Sequence, residues 1–210
     1  RERLSGAGRE HLDQARAAVL RAQDLTQRLE SLSLARAPEL EPLDFVAFIL
    51  REVDGFEMGP EIRIDWQLPE RLPMVSVDRA QFRQVVHHLL LNATQAMPNG
   101  GGLRIEIEEV QIEAVDIQNE QQSPGAYLRL GIRDDGEGIT PANLERVFDP
   151  YFTTRKDAKG LGLSVVYAIL RRHRGQVKIE SSTMGGTDVI VWLPMRLNGG
   201  SNPPISPAST

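Results

Sequence analysis

Residues 127–139 read YLRLGIRDDGEGI, and the other motifs of the chain are most easily placed relative to this stretch. Its first part, residues 127–132, is rich in apolar and aromatic side chains and predicts a strand. Its second part, residues 134–138, predicts a glycine-rich turn at the end of that strand. Glycines there let the backbone approach a ligand, and the Asp134 carboxylate can accept a hydrogen bond from an exocyclic amine. The alternatives are a plain turn or a calcium loop, although the bidentate Glu of an EF-hand is missing at the required spacing.

Strands and helices alternate on both sides of this stretch. Apolar residues with a period of two predict strands, whereas capped segments with a helical period predict helices. Paired strands between helices predict an α+β fold, a two-layer sandwich in which helices cover a mixed sheet. The predicted strands cover residues 61–68, 74–77, 103–117, 127–132, 177–181 and 188–193, and the predicted helices cover residues 44–53, 78–97, 141–147 and 160–174.

The first residues of the chain differ from the rest. Residues 9–34 contain no Gly or Pro, and their apolar residues recur every three or four positions, which predicts one long α-helix before the sandwich. The stripe needs a partner, either a second copy in a coiled-coil-like homodimer or the remainder of the chain. We therefore expect a helical region over residues 1–37, a globular domain over 38–197, and a disordered tail over 198–210, where Gly, Ser and Pro are frequent.

Composition excludes several classes of protein. The chain has 210 residues and a net charge of −5, which argues against a nucleic-acid partner. It contains no Cys, so thiolate metal sites, disulfides and cysteine nucleophiles are excluded. No apolar run reaches the ~18 residues of a membrane span, so we expect no membrane contact in this chain and a cytoplasmic location. Because the chain begins at Arg1 without Met, we expect a longer protein, which a segment elsewhere could anchor to a membrane.

A histidine and an asparagine share one face of the helix predicted over residues 78–97. His88 and Asn92 stand four positions apart, as neighbours on a helix face do. The amide oxygen of Asn92 is a hard, neutral ligand that suits Mg²⁺. The alternative is an asparagine that is simply exposed.

A second glycine motif opens the helix predicted over residues 160–174. Residues 160–164 read Gly-Leu-Gly-Leu-Ser, and unpaired amides at a helix N-terminus bind phosphate oxygens. The motif is neither a complete P-loop nor a complete dinucleotide fingerprint. Upstream, Arg155, Lys156 and Lys159 could add positive charge for a triphosphate, or could belong to a solvated loop. Residues 185–187, Gly-Gly-Thr, are also explained by a hairpin turn.

The order of these motifs resembles that of the ATP-binding domain of bacterial sensor histidine kinases, which have the Bergerat fold of the GHKL superfamily. The resemblance covers roughly residues 43–194. It implies an N box at Asn92, a G1 box at residues 134–138, an F box at 148–152 and a G2 box at 160–163. Residues 185–187 match the last glycine motif of the family. Residues 1–37 resemble the second helix of the family's dimerisation hairpin, residues 21–26 in particular.

The resemblance also implies roles for individual residues. Asn92 would coordinate Mg²⁺ on the triphosphate, and Asp134 would hold the adenine amino group. Residues 149–159 would form a mobile lid anchored by Phe148 and Phe152. The residues expected to contact ATP are Asn92, Gln95, Asp134, Gly136, Gly138, Ile139, Phe148, Phe152, Arg155, Lys156, Lys159, Gly160, Leu161, Gly162, Leu163 and Thr187.

The chain departs from the family pattern in three places. His88 stands where the family often has Asn, and where gyrase-type ATPases have a Glu that activates water, which speaks against that type of hydrolase. His88 could hold a metal-bound water, which makes it a candidate for metal binding and catalysis, or be a satisfied helix histidine. The lid is short, with Ala158 and Lys159 where Gly-x-Gly is common. No phosphoacceptor motif is present, because His11 is followed by Leu12 rather than by an acidic residue.

The function implied is transfer of the γ-phosphoryl group of ATP to a histidine, followed by transfer to the receiver domain of a response regulator. The acceptor helix would lie outside this chain, which therefore would not phosphorylate itself. An anti-sigma-factor-type serine kinase shares the ATP-binding fold, although the long first helix disfavours it. A third possibility is a degenerate ATP-binding scaffold that dimerises without transferring phosphate.

Overall fold

The computed structural model describes residues 36–59, 61–72, 74–113, 124–155, 158–183 and 185–195. The chain divides into two units, Arg1–Ala37 and Pro38–Thr210. The long helix predicted over residues 9–34 and the tail predicted over residues 198–210 lie outside the described residues. Within the described ranges, no helix is both long enough and apolar enough to cross a membrane.

Pairs of strands are interleaved with helices, as the sequence predicts. In chain order they are β1 (Glu41–Leu43), α1 (Phe45–Asp54), β2 (Ile62–Gln67), β3 (Val75–Val77), α2 (Arg79–Ala96), β4 (Gly101–Ile112), β5 (Gly125–Asp134), α3 (Pro141–Leu144), α4 (Gly162–Arg172), β6 (Gln176–Ser181) and β7 (Thr187–Pro194).

Five of these strands form one mixed sheet in the order β2-β4-β5-β7-β6. Strands β2 and β4 pair in parallel, and the other neighbours pair antiparallel. Strands β1 and β3 form a separate two-stranded sheet. Because β7 lies between β5 and β6, Thr187 at its start faces Asp134 on one side and Ser181 on the other.

Within the described residues, helices cover one face of the sheet, which confirms the predicted α+β sandwich. Inward-facing side chains such as Ile105, Leu130 and Val191 are buried, and this face packs against α2 and α4. The opposite face carries ion pairs, including Arg104 to Asp65 at 2.8 Å (Nε to Oδ2). A strand with one buried and one polar face alternates in sequence, and this alternation made the strands predictable.

Two aspartates and a histidine fix the helices. Asp44 caps α1, and Asp78 caps α2 by accepting the amide protons of Ala80 and Gln81. The Asp78 amide donates to Nε2 of the buried His173 at 3.0 Å. The other ring nitrogen of His173 lies 2.8 Å from the Ile169 carbonyl, so it carries the proton. The end of α4 is thereby tied to the start of α2.

The bounds of several elements differ from those predicted, and one strand was not predicted. Strand β1 was not predicted, because Pro42 disfavours a strand except at a sheet edge. Strand β4 ends at Ile112 rather than at residue 117, and α3 ends at Leu144 rather than at residue 147. Helix α4 begins at Gly162 rather than at residue 160, because Gly160 has a φ of +68°, which an α-helix does not contain.

Candidate functional site

The predicted site residues gather where β5, β7 and α2 end or begin. Asp134 is the last residue of β5 and pairs with Thr187, the first residue of β7. The Glu137 amide donates to the carbonyl of Ala96, the last residue of α2, at 3.2 Å. The loop after β5 is therefore attached both to the sheet and to the end of the helix.

One half of the site, which we call the carboxylate end, consists of Asp134, Gly136, Gly138, Ile139, Ser181, Gly186 and Thr187. Its hydrogen bonds converge on the Ser181 hydroxyl. This oxygen accepts the Ile139 amide proton at 2.8 Å, donates to the Gly186 carbonyl at 2.8 Å, and lies 3.0 Å from Oγ1 of Thr187. These contacts lock the loop after β5 against the β6–β7 turn.

The glycines of the carboxylate end are required by close packing of the backbone. Gly138 has a φ of +72°, and a Cβ there would strike the Ser182 carbonyl. Gly186 has a φ of +76°, and a Cβ there would strike the Asp134 carbonyl. A Cβ on Gly136 would lie 2.6 Å from that of Ala96. Any side chain at these three positions would displace the loop.

Asp134 supplies a hydrogen-bond acceptor inside this rigid frame. Its relative exposure is 5%, and its Oδ1 accepts the Gly136 amide proton at 2.9 Å. Burial raises the pKa of Asp134, and the backbone hydrogen bonds from Gly136 and Thr187 act in the opposite direction. A buried carboxylate of this kind recognises a ligand that brings its own donor, such as an exocyclic amine.

The other half of the site, which we call the helix end, consists of His88, Asn92, Gln95, Arg155 and the start of α4. The three α2 residues stand on neighbouring turns, with His88 and Asn92 half-buried and Gln95 exposed. Burial, with a smaller contribution from His87, lowers the pKa of His88 to about 4. The imidazole is therefore neutral at neutral pH.

The N-terminus of α4 presents amides towards this end. Leu161 is the N-cap, and its side chain caps none of them. Such amides, with the helix dipole behind them, attract anions. Gly160 is constrained by its positive φ and by Phe152, since a Cβ there would strike the Phe152 carbonyl. Leu163 lies in the first turn of the helix.

Arg155 connects the charged segment to both neighbouring elements. One guanidinium nitrogen donates to Oε1 of Gln95 at 2.6 Å, and the other lies 3.7 Å from Oε1 of Glu137. The Arg155 amide donates to Oγ1 of Thr153 at 3.1 Å. Arg155 is thus held through both its backbone and its side chain. Its positive charge lies close enough to Asp134 to oppose the rise in the pKa of that carboxyl.

Phe148 and Phe152 lie in the stretch of chain that leads to Arg155. The Phe148 ring lies 5.4 Å from that of Tyr167 on α4 (between ring centroids). The Arg146 guanidinium lies 4.5 Å from the centroid of the Phe152 ring. The first contact attaches this stretch to α4 and the second attaches it to the turn after α3, and the anchoring role of the two rings stays a prediction.

The remaining predicted residues are not joined to the site by these contacts. Lys159 is exposed, and Lys156 lies outside the described residues. The described ranges contain no group of three or more His, Cys, Asp or Glu arranged to hold a metal ion.

Sequence reasoning missed three residues that build the site. Ser181 was predicted only as the end of a strand, although its inward position after Val177 and Ile179 marks a polar group on an apolar face. Ala96 contributes its carbonyl to Glu137, and Glu137 contributes a carboxylate to Arg155. The last two roles depend on tertiary contacts and have no signature in the sequence.

Comparison with known proteins gives a consistent result. The model of the family described as "Histidine kinase-, DNA gyrase B-, and HSP90-like ATPase" matches residues 77–197. The sensor histidine kinase ZraS of Salmonella typhimurium is 32% identical over 152 residues, covering 72% of this chain and 30% of that protein. The chain thus spans about a third of the length of this relative.

Two solved structures share the fold. The full-length ShkA crystal structure in complex with AMPPNP superposes with a TM-score of 0.67 at 20% identity, covering 92% of this chain and 40% of ShkA. The nucleotide-free catalytic domain of the histidine kinase ThkA superposes with a TM-score of 0.61 at 24% identity, covering 75% of this chain and 96% of that domain. At these identities the similarity establishes the fold.

Proposed function

The chain belongs to the family of histidine kinase-, DNA gyrase B- and HSP90-like ATPases, and we propose that it is the ATP-binding catalytic domain of a sensor histidine kinase. Its reaction would be transfer of the γ-phosphoryl group of ATP to a histidine nitrogen. The observation that carries this proposal is the pairing of a buried carboxylate, Asp134, with an uncapped helix N-terminus at Leu161, on two sides of one site.

Recognition of the base falls to the carboxylate end. Asp134 would accept a hydrogen bond from the adenine amino group, in a pocket shaped by the loop from Gly136 to Ile139. Because Ser181 holds this loop, the acceptor is preorganised and little ordering free energy is lost on binding. The pocket favours a base with an exocyclic amine over one with a carbonyl at that position, since a carbonyl would face a carboxylate.

Binding of the phosphates falls to the helix end. The amides at the start of α4 would meet phosphate oxygens, and Arg155 and Lys159 would add positive charge. Asn92 offers an amide oxygen to Mg²⁺, which fits a cation that prefers oxygen ligands and usually completes its shell with phosphates and water. When bound, the metal would neutralise charge on the transferred phosphoryl group.

The chemistry of transfer needs few groups from this chain. The bond between the γ-phosphorus and the bridging oxygen breaks, a bond from phosphorus to the acceptor imidazole nitrogen forms, and ADP leaves. Catalysis of such a step rests on positioning and charge stabilisation. The acceptor histidine would come from a dimerisation helix of the longer protein, a homodimer in the cytoplasm, and the receiver domain of a response regulator would take the phosphoryl group next.

A calorimetric titration tests the nucleotide site. We expect the chain to bind a non-hydrolysable ATP analogue. Asp134→Asn should weaken this binding about 100-fold, because it replaces a charged acceptor with a neutral amide, which is a weaker acceptor. Asn92→Ala should remove the part of the affinity that depends on Mg²⁺ and leave metal-free binding within about threefold. Asp135→Asn makes the same chemical change at an exposed neighbour and serves as the control. Absence of binding by the folded parent chain would contradict the proposal.

A second assay separates the kinase from its alternatives. An acceptor helix supplied in trans, with labelled ATP, should become labelled on histidine. Label on serine would instead indicate the anti-sigma type. Nucleotide binding without any transfer would leave the non-catalytic scaffold as the better account.

A further inference from the structure

His88 and Gly162 lie against each other where α2 meets the start of α4. A Cβ added at Gly162 would lie 3.3 Å from Nδ1 of His88, 3.7 Å from its Cγ and 3.8 Å from its Cβ. A methyl group at Gly162 would therefore fit only if the imidazole gave way by a few tenths of an ångström. This packing gives Gly162 a structural requirement in addition to any approach of its amide to a ligand.

The contact joins the two elements that make up the helix end. His88 lies one helical turn before Asn92 on α2, and Gly162 is the first residue of α4. Near the start of α2 and just past the end of α4, the Phe82 and His173 rings lie 6.2 Å apart (between centroids), and the Asp78 amide donates to His173. Two contacts thus hold α2 against α4, and the contact at His88 is the one nearer to Asn92.

From this arrangement we propose that His88 is a positioning residue that sets the distance between Asn92 and the α4 amides, and that it is not the catalytic base. The inference rests on the function proposed above. A triphosphate bound through Mg²⁺ must reach both Asn92 and α4 at once, whereas adenosine needs neither. His88 therefore governs affinity for the triphosphate and leaves recognition of the base unchanged.

The ring is suited to this role in two further respects. It is half-buried, with Nδ1 the atom nearest to Gly162. It is also neutral at neutral pH, because burial lowers its pKa. A neutral, packed ring keeps a constant size and charge, which a spacer between two helices needs.

A size exchange between the two positions tests the proposal. Gly162→Ala pushes a methyl group against the ring, so we expect the affinity for the Mg²⁺ complex of AMPPNP to fall about 10-fold or more, with adenosine affinity nearly unchanged. His88→Asn shortens the side chain, and the double variant Gly162→Ala/His88→Asn should recover to within about threefold of the parent. Alanine is a better helix former than glycine, so a loss in Gly162→Ala cannot come from a weaker α4.

Gly59→Ala is the matched control, because a Cβ there meets no atom within 4 Å. Two results would overturn the proposal: no recovery in the double variant, or an equal loss of adenosine and triphosphate affinity in Gly162→Ala. So would a His88→Asn variant that binds the triphosphate normally but no longer transfers phosphate, because that identifies a base.

Urea unfolding of the parent, the two single variants and the double variant tests the contact between His88 and Gly162 without any nucleotide. Non-additive stabilities of Gly162→Ala and His88→Asn would confirm that the two residues pack together, even in a parent chain that does not bind ATP. Failure of the proposed function is thereby separated from failure of this inference, and additive stabilities would contradict the inference alone.

Discussion

The two ends of the site are built in different ways. The carboxylate end is held by backbone: Gly138 and Gly186 have positive φ angles, and Ser181 bonds to main-chain groups on both sides. The helix end is held by side chains, through His88 against Gly162 and Arg155 against Gln95. Backbone requirements admit few substitutions, whereas side-chain contacts can be replaced in several ways. Of the departures from the family pattern, the one at His88 lies at the helix end.

The largest effect expected from this difference is that of Gly186→Ala. The new Cβ meets the Asp134 carbonyl while the residue is held at a φ of +76°. We expect the free energy of unfolding to fall by about 3 kcal/mol or more, since strain of this kind adds to overpacking. Urea unfolding measures the loss.

For comparison, Asn92→Ala at the helix end should change stability by less than about 1 kcal/mol, because Asn92 is only partly buried and no backbone strain is involved. If Gly186→Ala were no more destabilising than Asn92→Ala, the contrast between a backbone-built end and a side-chain-built end would be wrong.

Lowering the pH should change the stability of the folded chain in opposite directions through the two ends of the site. The pKa of His88 is lowered to about 4 in the folded chain, so its stabilising effect is complete above pH 6.5 and is lost as the pH falls towards 4. Burial lowers the pKa of His173 as well and adds to this loss. Burial raises the pKa of Asp134, so protonation of that carboxyl favours the folded chain.

The contribution of His88 can be isolated by measuring unfolding at a series of pH values. We expect His88→Gln to remove roughly 2 kcal/mol of the stability that the parent loses between pH 7 and pH 4. The exposed neighbour His87, changed to Gln, is the control and should leave most of the slope in place. Identical slopes in the parent and in His88→Gln would show that the ring is not protected from protonation by the fold.

The smallest effect expected is that of Arg155→Gln. Its pairs with Gln95 and Glu137 lie near the surface, where such contacts contribute little. We expect affinity for the Mg²⁺ complex of AMPPNP to fall about threefold, with adenosine affinity unchanged. The control is Arg104→Gln, which breaks an ion pair on the open face of the sheet. A loss of adenosine affinity in Arg155→Gln would contradict a role confined to the phosphates, and would show that the pair with Glu137 also supports the loop that binds the base.

The same contrast explains what could be predicted from the sequence. The alternation of buried and polar residues revealed the strands, and Asp134 with its glycines was recognisable because local backbone geometry leaves a local pattern. Ser181 was missed because its partners come from two other segments. The parallel pairing of β2 with β4 could not be predicted either, because it depends on a crossover connection and not on the residues of the two strands.

At the helix end, the sequence named the residues but not their neighbours. The residues 160–164 motif predicted a helix start with glycines for a ligand, whereas Gly162 packs on His88 and Gly160 packs on Phe152. Arg155 was predicted as a phosphate contact, and its bonds to Gln95 and Glu137 join residues that lie far apart in the sequence. Contacts between distant segments leave no periodicity to detect.

The position of β7 has a consequence for how the protein folds during its synthesis. Among the described strands β7 is the last in the chain, yet it lies inside the sheet between β5 and β6. During synthesis the edges of β5 and β6 that pair with β7 therefore have no partner until residues 187–194 leave the ribosome. Asp134 also lacks its partner Thr187 until that moment. The sheet and the pocket at Asp134 are therefore completed together, when β7 inserts. If the ribosome stalls before β7, the nascent chain has an unpaired strand edge that can aggregate.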